Sequence, residues 1–96
     1  ANGQNIYPEE IEAVVNNQPY VIESVVVDRG TKLVALAYLD AEKAKTEGAD
    51  LEEYKKILMA EVNKTMPAYS KVNIVEYMEQ PFEKTPKMSI KRFMYK

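Results

Sequence analysis

The 96-residue sequence contains no cysteine and no histidine, and it has only three glycines. Without cysteine, the chain has no disulfide framework and no thiolate ligand for zinc. Without histidine, it lacks the commonest general base and the commonest metal ligand in proteins. These absences exclude a self-contained Ser-His-Asp or Cys-His catalytic centre, and we predict no metal site. A chain free of cysteine fits a reducing compartment, so we expect a cytoplasmic location.

Long hydrophobic runs are also missing. No apolar stretch approaches the roughly 18 residues of a membrane span, and the start of the chain shows no signal-peptide pattern. The composition is 46% hydrophobic and 29% charged, which is typical of a globular domain. A chain of this length provides one modest core. We therefore predict a single domain over residues 1–96.

The charged residues are segregated along the chain. Residues 84–96 carry no acidic side chain and have a charge of +5, whereas residues 1–83 carry eight basic and fifteen acidic side chains; the five bases are Lys84, Lys87, Lys91, Arg92 and Lys96. Exposed ion pairs stabilise a fold by only about 0 to 1 kcal/mol, so we expect this basic segment to face an anion rather than to stabilise the domain. A solvated basic terminus is the alternative.

The apolar pattern predicts an α+β domain in the order helix, strand, strand, helix, strand and tail, with about three strands flanked by two or three helices. Pro8 and the glutamates after it indicate a helix over residues 8–16. The β-branched run 20–28, a turn at Gly30 and the apolar run 33–39 predict a hairpin whose second strand is central. Asp50 caps a helix that Pro67 ends near residue 65 or 66, and a third strand follows over residues 72–78. Residues 40–48 fit either a short helix or a loop, and residues 90–95 fit a last helical turn or two.

Three stretches resemble a known family. Gly3-Gln-Asn-Ile-Tyr-Pro-Glu-Glu-Ile-Glu12 resembles the G-x-x-I-x-P-x-E-I-E segment that follows the hinge in adenylate-forming enzymes, the acyl-CoA synthetase and luciferase superfamily. Residues 82–92, Phe-Glu-Lys-Thr-Pro-Lys-Met-Ser-Ile-Lys-Arg, resemble its closing motif, T-x-x-G-K-[IV]-x-R. Met66-Pro-Ala-Tyr-Ser-Lys71 is similar to the L-P-x-Y region before the third strand. Their order and spacing match, and the closing motif is most similar to that of bacterial long-chain fatty acid CoA ligases.

The resemblance implies that the chain is the mobile C-terminal domain of such a ligase, and that a large N-terminal domain binds ATP and the fatty acid. The family joins a carboxylate to AMP with loss of pyrophosphate and then transfers the acyl group to CoA. The C-terminal domain rotates between the two steps. The expected partners are the chain's own N-terminal domain, fatty acid, ATP, Mg²⁺ and CoA, and we expect this domain alone to bind none of these small molecules and to be inactive. Nucleic acid is not expected, because the net charge is −2.

The resemblance also indicates a CoA-facing edge. The matched glycine lies beside the pantetheine tunnel in the family, so Gly3, Gln4 and Asn5 are the candidates for CoA contact. Glycine lets the backbone pass close to a ligand because it has no Cβ. An ordinary turn before the first helix is the alternative interpretation.

The closing motif departs from the family at its catalytic position. The family's catalytic lysine falls on Ser89, and the preceding glycine falls on Met88. In an extended segment, side chains 87, 89 and 91 share one face at a spacing of about 6 to 7 Å. We therefore expect Lys87 or Lys91 to supply the missing charge. The alternative is that this chain has lost or relaxed the requirement for a lysine.

Two other functions stay open at this stage. The chain is alternatively a free-standing binding module whose basic tail docks an acidic partner. The aromatic and apolar residues 93–95, with the lysines around them, also fit peripheral contact with the inner face of a membrane.

Overall fold

The computed structural model describes residues 6–30 and 32–95, and it confirms the predicted α+β class. The elements follow the order α-β-β-α-α-β: α1 (Pro8–Asn16), β1 (Val21–Asp28), β2 (Leu33–Leu39), α2 (Ala41–Thr46), α3 (Leu51–Asn63) and β3 (Ile74–Met78). Single 3₁₀ turns occupy Ala68–Ser70 and Arg92–Met94. Among the described residues, no helix is long and apolar enough to cross a membrane.

The sheet has the strand order β1-β2-β3, so β2 is central, as its apolar sequence predicted. β1 and β2 pair antiparallel, with Val26 opposite Ala35, whereas β2 and β3 pair parallel, with Ala35 opposite Val75. The parallel pairing requires a crossover, which α2 and α3 provide. The sheet is therefore mixed.

The two faces of the sheet are covered by different parts of the chain. On one face, α1 and α3 bury the first core, which includes Ile11, Val15, Leu58 and Val62. On the other face, Phe82 packs with alternate residues of β1 and β2 in a second core, and Ile90 and Tyr95 lie against it; the strand residues are Val25, Val27, Val34 and Leu36. Residues 82–95, which we call the closing segment, are thus a third layer of the domain rather than a free tail.

Local capping explains where α2 and α3 begin. The Asp40 side chain accepts a hydrogen bond from the Lys43 N–H (3.1 Å), and Gly48 ends this region with a φ of +72°, so residues 40–48 contain the short helix α2. The Asp50 side chain accepts from the N–H groups of Glu52 (3.0 Å) and Glu53 (3.3 Å), which confirms it as the cap of α3.

α3 ends earlier, and β3 begins later, than predicted. The last residue of α3, Asn63, hydrogen-bonds both backbone groups of Val72: its Nδ2 donates to the carbonyl (2.9 Å) and its Oδ1 accepts from the N–H (2.7 Å). The Asn73 side chain likewise accepts from the Leu33 N–H (2.8 Å). The Asn73 N–H also donates to the Leu33 carbonyl (2.9 Å). Side-chain hydrogen bonds therefore hold residue 72, and both side-chain and backbone bonds to Leu33 hold residue 73 ahead of β3.

Candidate functional site

The closing segment folds back on itself as a hairpin. Lys84 and Ile90 form an antiparallel bridge, the Thr85 N–H donates to the Ser89 carbonyl (2.7 Å), and the Met88 N–H donates to the Thr85 carbonyl (2.8 Å). The three-residue loop 86–88 ends at Met88, whose φ is +67°. Three-residue hairpin loops usually place a glycine at this left-handed position. Met88 therefore has the backbone conformation for which the glycine of the resembled motif is suited.

The assumption of an extended segment was wrong at residue 87. Pro86 and the positive φ of Met88 reverse the chain, so Lys87 lies in the loop, Ser89 follows it and Lys91 lies beyond the bridge. These three side chains do not share one face of a strand. The roles predicted for Lys87, Ser89 and Lys91 stay predictions.

The loop and the residue after the bridge present cations to solvent. The Lys87 side chain is exposed and Lys91 is half-buried. Within residues 6–30 and 32–95, neither lysine forms an ion pair. Both charges are therefore available to an anion from outside the domain. Gly3, Gln4 and Asn5, the candidates for CoA contact, and Lys96 lie outside the described residues.

Lys84, by contrast, is bound to the body of the domain. Its Nζ lies 2.9 Å from Oε1 of Glu23 and 3.0 Å from Oε2, and both side chains are mostly buried. Oε2 of Glu23 also accepts from the Phe82 N–H (3.1 Å). One carboxylate on β1 therefore fixes both the backbone and the cation at the start of the closing segment.

Arg92 is bound in the same way at the other end. Its guanidinium donates to both oxygens of Glu12, with 2.6 Å between Nη1 and Oε2. Oε2 of Glu12 also accepts from the Val26 N–H (2.7 Å), and Glu12 is only 5% exposed. The hydrogen bond to Glu12 raises the pKa of Arg92, and partial burial opposes this rise. A buried carboxylate thus joins α1, the outer strand β1 and the closing segment.

The expectation that the basic segment faces an anion outside the domain was therefore wrong for Lys84 and Arg92, which bind carboxylates of the domain itself. Their partners, Glu12 and Glu23, are functional candidates that the sequence reasoning missed. One signal was present: Glu12 follows Ile11 and lies three residues before Val15, so a charged residue belongs to the buried side of α1. Charged residues are seldom buried without a partner, which predicts a cation opposite Glu12.

A groove of about 270 Å³ lies beside the first turn of α1. Tyr7, Glu10 and Ile11 line one side, and residues 65–67, 69 and 70 line the other. The structure thus brings together two of the three stretches that carry the family resemblance. One of its lining residues, Tyr7, closely follows the candidates for CoA contact in the sequence.

The geometry defines a small domain that presents two cations on an anchored hairpin, and no described group of carboxylates could hold a metal ion. The sequence matches the model of the AMP-binding enzyme C-terminal domain over residues 1–95, and the chain belongs to this family. The family of the resemblance is thereby confirmed at this level.

Solved structures with the same fold belong to larger proteins. The chain is 26% identical to a benzoate CoA ligase from Burkholderia xenovorans LB400, with a TM-score of 0.71 over 91% of this chain and 17% of that one. It is 22% identical to a Mycobacterium tuberculosis fatty acyl CoA synthetase, with a TM-score of 0.73 over 96% and 17%. ATP-bound MatB from Rhodopseudomonas palustris gives 18% identity and a TM-score of 0.75 over 96% and 18%. The chain thus spans less than a fifth of each of these proteins. A search of curated proteins gave no match.

Proposed function

We propose that this chain is the C-terminal domain of an adenylate-forming CoA ligase and that the closing hairpin supplies positive charge during acyl adenylation. Family membership and the likeness to the benzoate CoA ligase support the reaction class. The observation that carries the proposal is the hairpin itself: it holds Lys87 and Lys91 with no ion-pair partner among the described residues, on the segment that matches the closing motif.

The chemistry requires such charge. A carboxylate oxygen attacks the α-phosphorus of ATP, an acyl–phosphate bond forms, and the bond to pyrophosphate breaks. Two anions must approach each other, and negative charge grows on the oxygens around phosphorus. A positioned cation at such a site is worth about 10²- to 10³-fold in rate, by analogy with other electrostatic stabilisers. Lysine suits a site that assembles and separates, because its charge is compact and its stem is flexible.

The second step takes place, in this proposal, at the opposite end of the chain. The thiol of CoA displaces AMP from the acyl adenylate, and the edge at Gly3, Gln4 and Asn5 lies against the pantetheine arm. The groove beside the first turn of α1 supports this assignment, because it is lined by residues of two stretches that carry the family resemblance, one of which includes Gly3, Gln4 and Asn5 in the sequence. ATP, Mg²⁺ and CoA are requirements of the full ligase, and its N-terminal domain is the partner of this one.

The proposed substrate is a long-chain fatty acid. The support is the form of the closing motif, which is most similar to that of bacterial long-chain fatty acid CoA ligases. We also propose a cytoplasmic location. Peripheral contact with the inner membrane face is a further proposal, supported by the exposed side chains of Phe93 and Met94; absence of co-sedimentation with anionic vesicles would exclude it.

The test is ATP–pyrophosphate exchange by the full-length ligase with benzoate and with fatty acids of increasing chain length. We expect the highest exchange with long chains. We also expect Lys87→Ala or Lys91→Ala to lower exchange at least tenfold, whereas Lys56→Ala, which removes an exposed lysine of α3, leaves it within twofold.

Ser89→Lys separates the two explanations of the motif. If another lysine has taken over the role, Ser89→Lys changes exchange by less than threefold. If exchange instead rises tenfold or more and neither alanine variant is impaired, the requirement was lost and the relocated-lysine idea is wrong.

A further inference from the structure

Two carboxylates of the domain body hold the closing hairpin at its base. Glu23 binds residues 82 and 84 on the first arm, and Glu12 binds Arg92 beyond the second arm. The arms are joined to each other by the Lys84–Ile90 bridge and by the Lys91 N–H, which donates to the Glu83 carbonyl (2.8 Å). The base is therefore fixed to α1 and β1, whereas loop residues 86–88 are exposed.

We propose that Glu12 is a positioning residue for adenylation, an inference that rests on the proposed function. Arg92 follows Lys91 in the chain, and both terminal nitrogens of its planar guanidinium donate to one carboxylate, that of Glu12. A bidentate pair fixes orientation as well as distance. The Val26 N–H in turn fixes Glu12, so the position of the Lys91 backbone is set by the sheet through two successive contacts.

The energetics favour a role in placement. Replacing a buried ion pair by apolar residues of similar volume is often neutral or stabilising, so such a pair is weak evidence of a purely stabilising role. The second core already holds Ile90 and Tyr95 on the sheet by apolar contact. Apolar contacts do not fix the orientation of a side chain, however, as a bidentate hydrogen bond does. A displacement of about 1 Å at a reacting centre costs on the order of 10²-fold in rate.

The experiment uses the full-length ligase and measures its two half-reactions separately. Glu12→Gln keeps the volume and an acceptor for the Val26 N–H but removes the charge that holds Arg92. We expect its maximal rate of ATP–pyrophosphate exchange to fall at least tenfold with the KM for ATP changed less than threefold. Thioester formation from preformed acyl adenylate should stay within twofold, because the proposed function assigns that step to the other end of the chain.

Two further variants complete the test. Arg92→Gln should match Glu12→Gln, and the double variant should be no slower than either, because both changes break one contact. The matched control is Glu76→Gln, the same change at an exposed carboxylate 3.9 Å from Arg29, and it should leave both steps within twofold.

The possible failures are distinguishable. Equal losses in the two half-reactions, no loss in either, or additive losses in the double variant would each overturn the positioning role. If none of the carboxylic acids tested supports ATP–pyrophosphate exchange by the unaltered ligase, the proposed function itself fails, whatever the variants do.

Discussion

Replacing Glu12 by alanine should destabilise the domain more than any change at an exposed carboxylate. The substitution leaves the buried Val26 N–H without its acceptor, which costs about 1 to 3 kcal/mol. It also removes the bonds to Arg92, but that side chain is 38% exposed, so water replaces part of the loss and we count about 1 kcal/mol. The expected decrease in the free energy of unfolding is about 3 kcal/mol.

Glutamine at position 12 separates these two contributions. Its carbonyl oxygen can still accept from the Val26 N–H, so Glu12→Gln should cost only about 1 kcal/mol. Urea unfolding of the 96-residue chain, followed by circular dichroism, measures both variants, with midpoints that shift at an unchanged slope. Glu76→Ala is the control and should lie within about 0.5 kcal/mol of the unaltered chain. The reasoning is refuted if Glu12→Ala costs less than about 1 kcal/mol or no more than Glu12→Gln.

Two other predictions concern the loop and a tyrosine. Met88→Gly should stabilise the chain by about 0.5 kcal/mol, because relief of the left-handed φ outweighs the entropy that glycine adds to the unfolded state; a loss of stability in urea would contradict this. Burial raises the pKa of Tyr77 to about 12, and its hydroxyl donates to the Leu51 carbonyl (2.6 Å). The folded state thus keeps this proton to higher pH than the unfolded state, so its contribution is present below about pH 10 and is lost as pH rises towards 12. Tyr77→Phe should therefore flatten the decline of unfolding free energy measured between about pH 10 and pH 12, and an equally steep decline would show that another group causes it.

The helices and strands were largely predictable because their signals are local. The apolar run of β2 indicated burial on both faces, and the structure confirms that it is the central strand. The short helix α2 was harder to predict, since six residues form a helix only when caps such as Asp40 and tertiary packing support them.

The closing segment was the part that the sequence could not place. Its base depends on pairs between residues that are 61 and 80 positions apart, Glu23 with Lys84 and Glu12 with Arg92. No periodic pattern carries such information, so the five basic residues read as one group although two of them are bound inside the fold. The prediction that residues 87, 89 and 91 share one face was wrong for a local reason. The loop ends at Met88 in the left-handed conformation, and a residue other than glycine gives no sequence signal of that conformation.

The third layer sets the size of the piece that can be exchanged between members of this domain family. In this chain, Arg92 binds a carboxylate of α1, and the aromatic pair Phe82 and Tyr95 packs against the sheet. A graft of residues 82–95 alone would place these side chains on a helix and a sheet whose residues do not match them. A graft that carries α1, the sheet and this layer together keeps every such match. Recombination between members of this family should therefore place its junctions outside the domain and none within it.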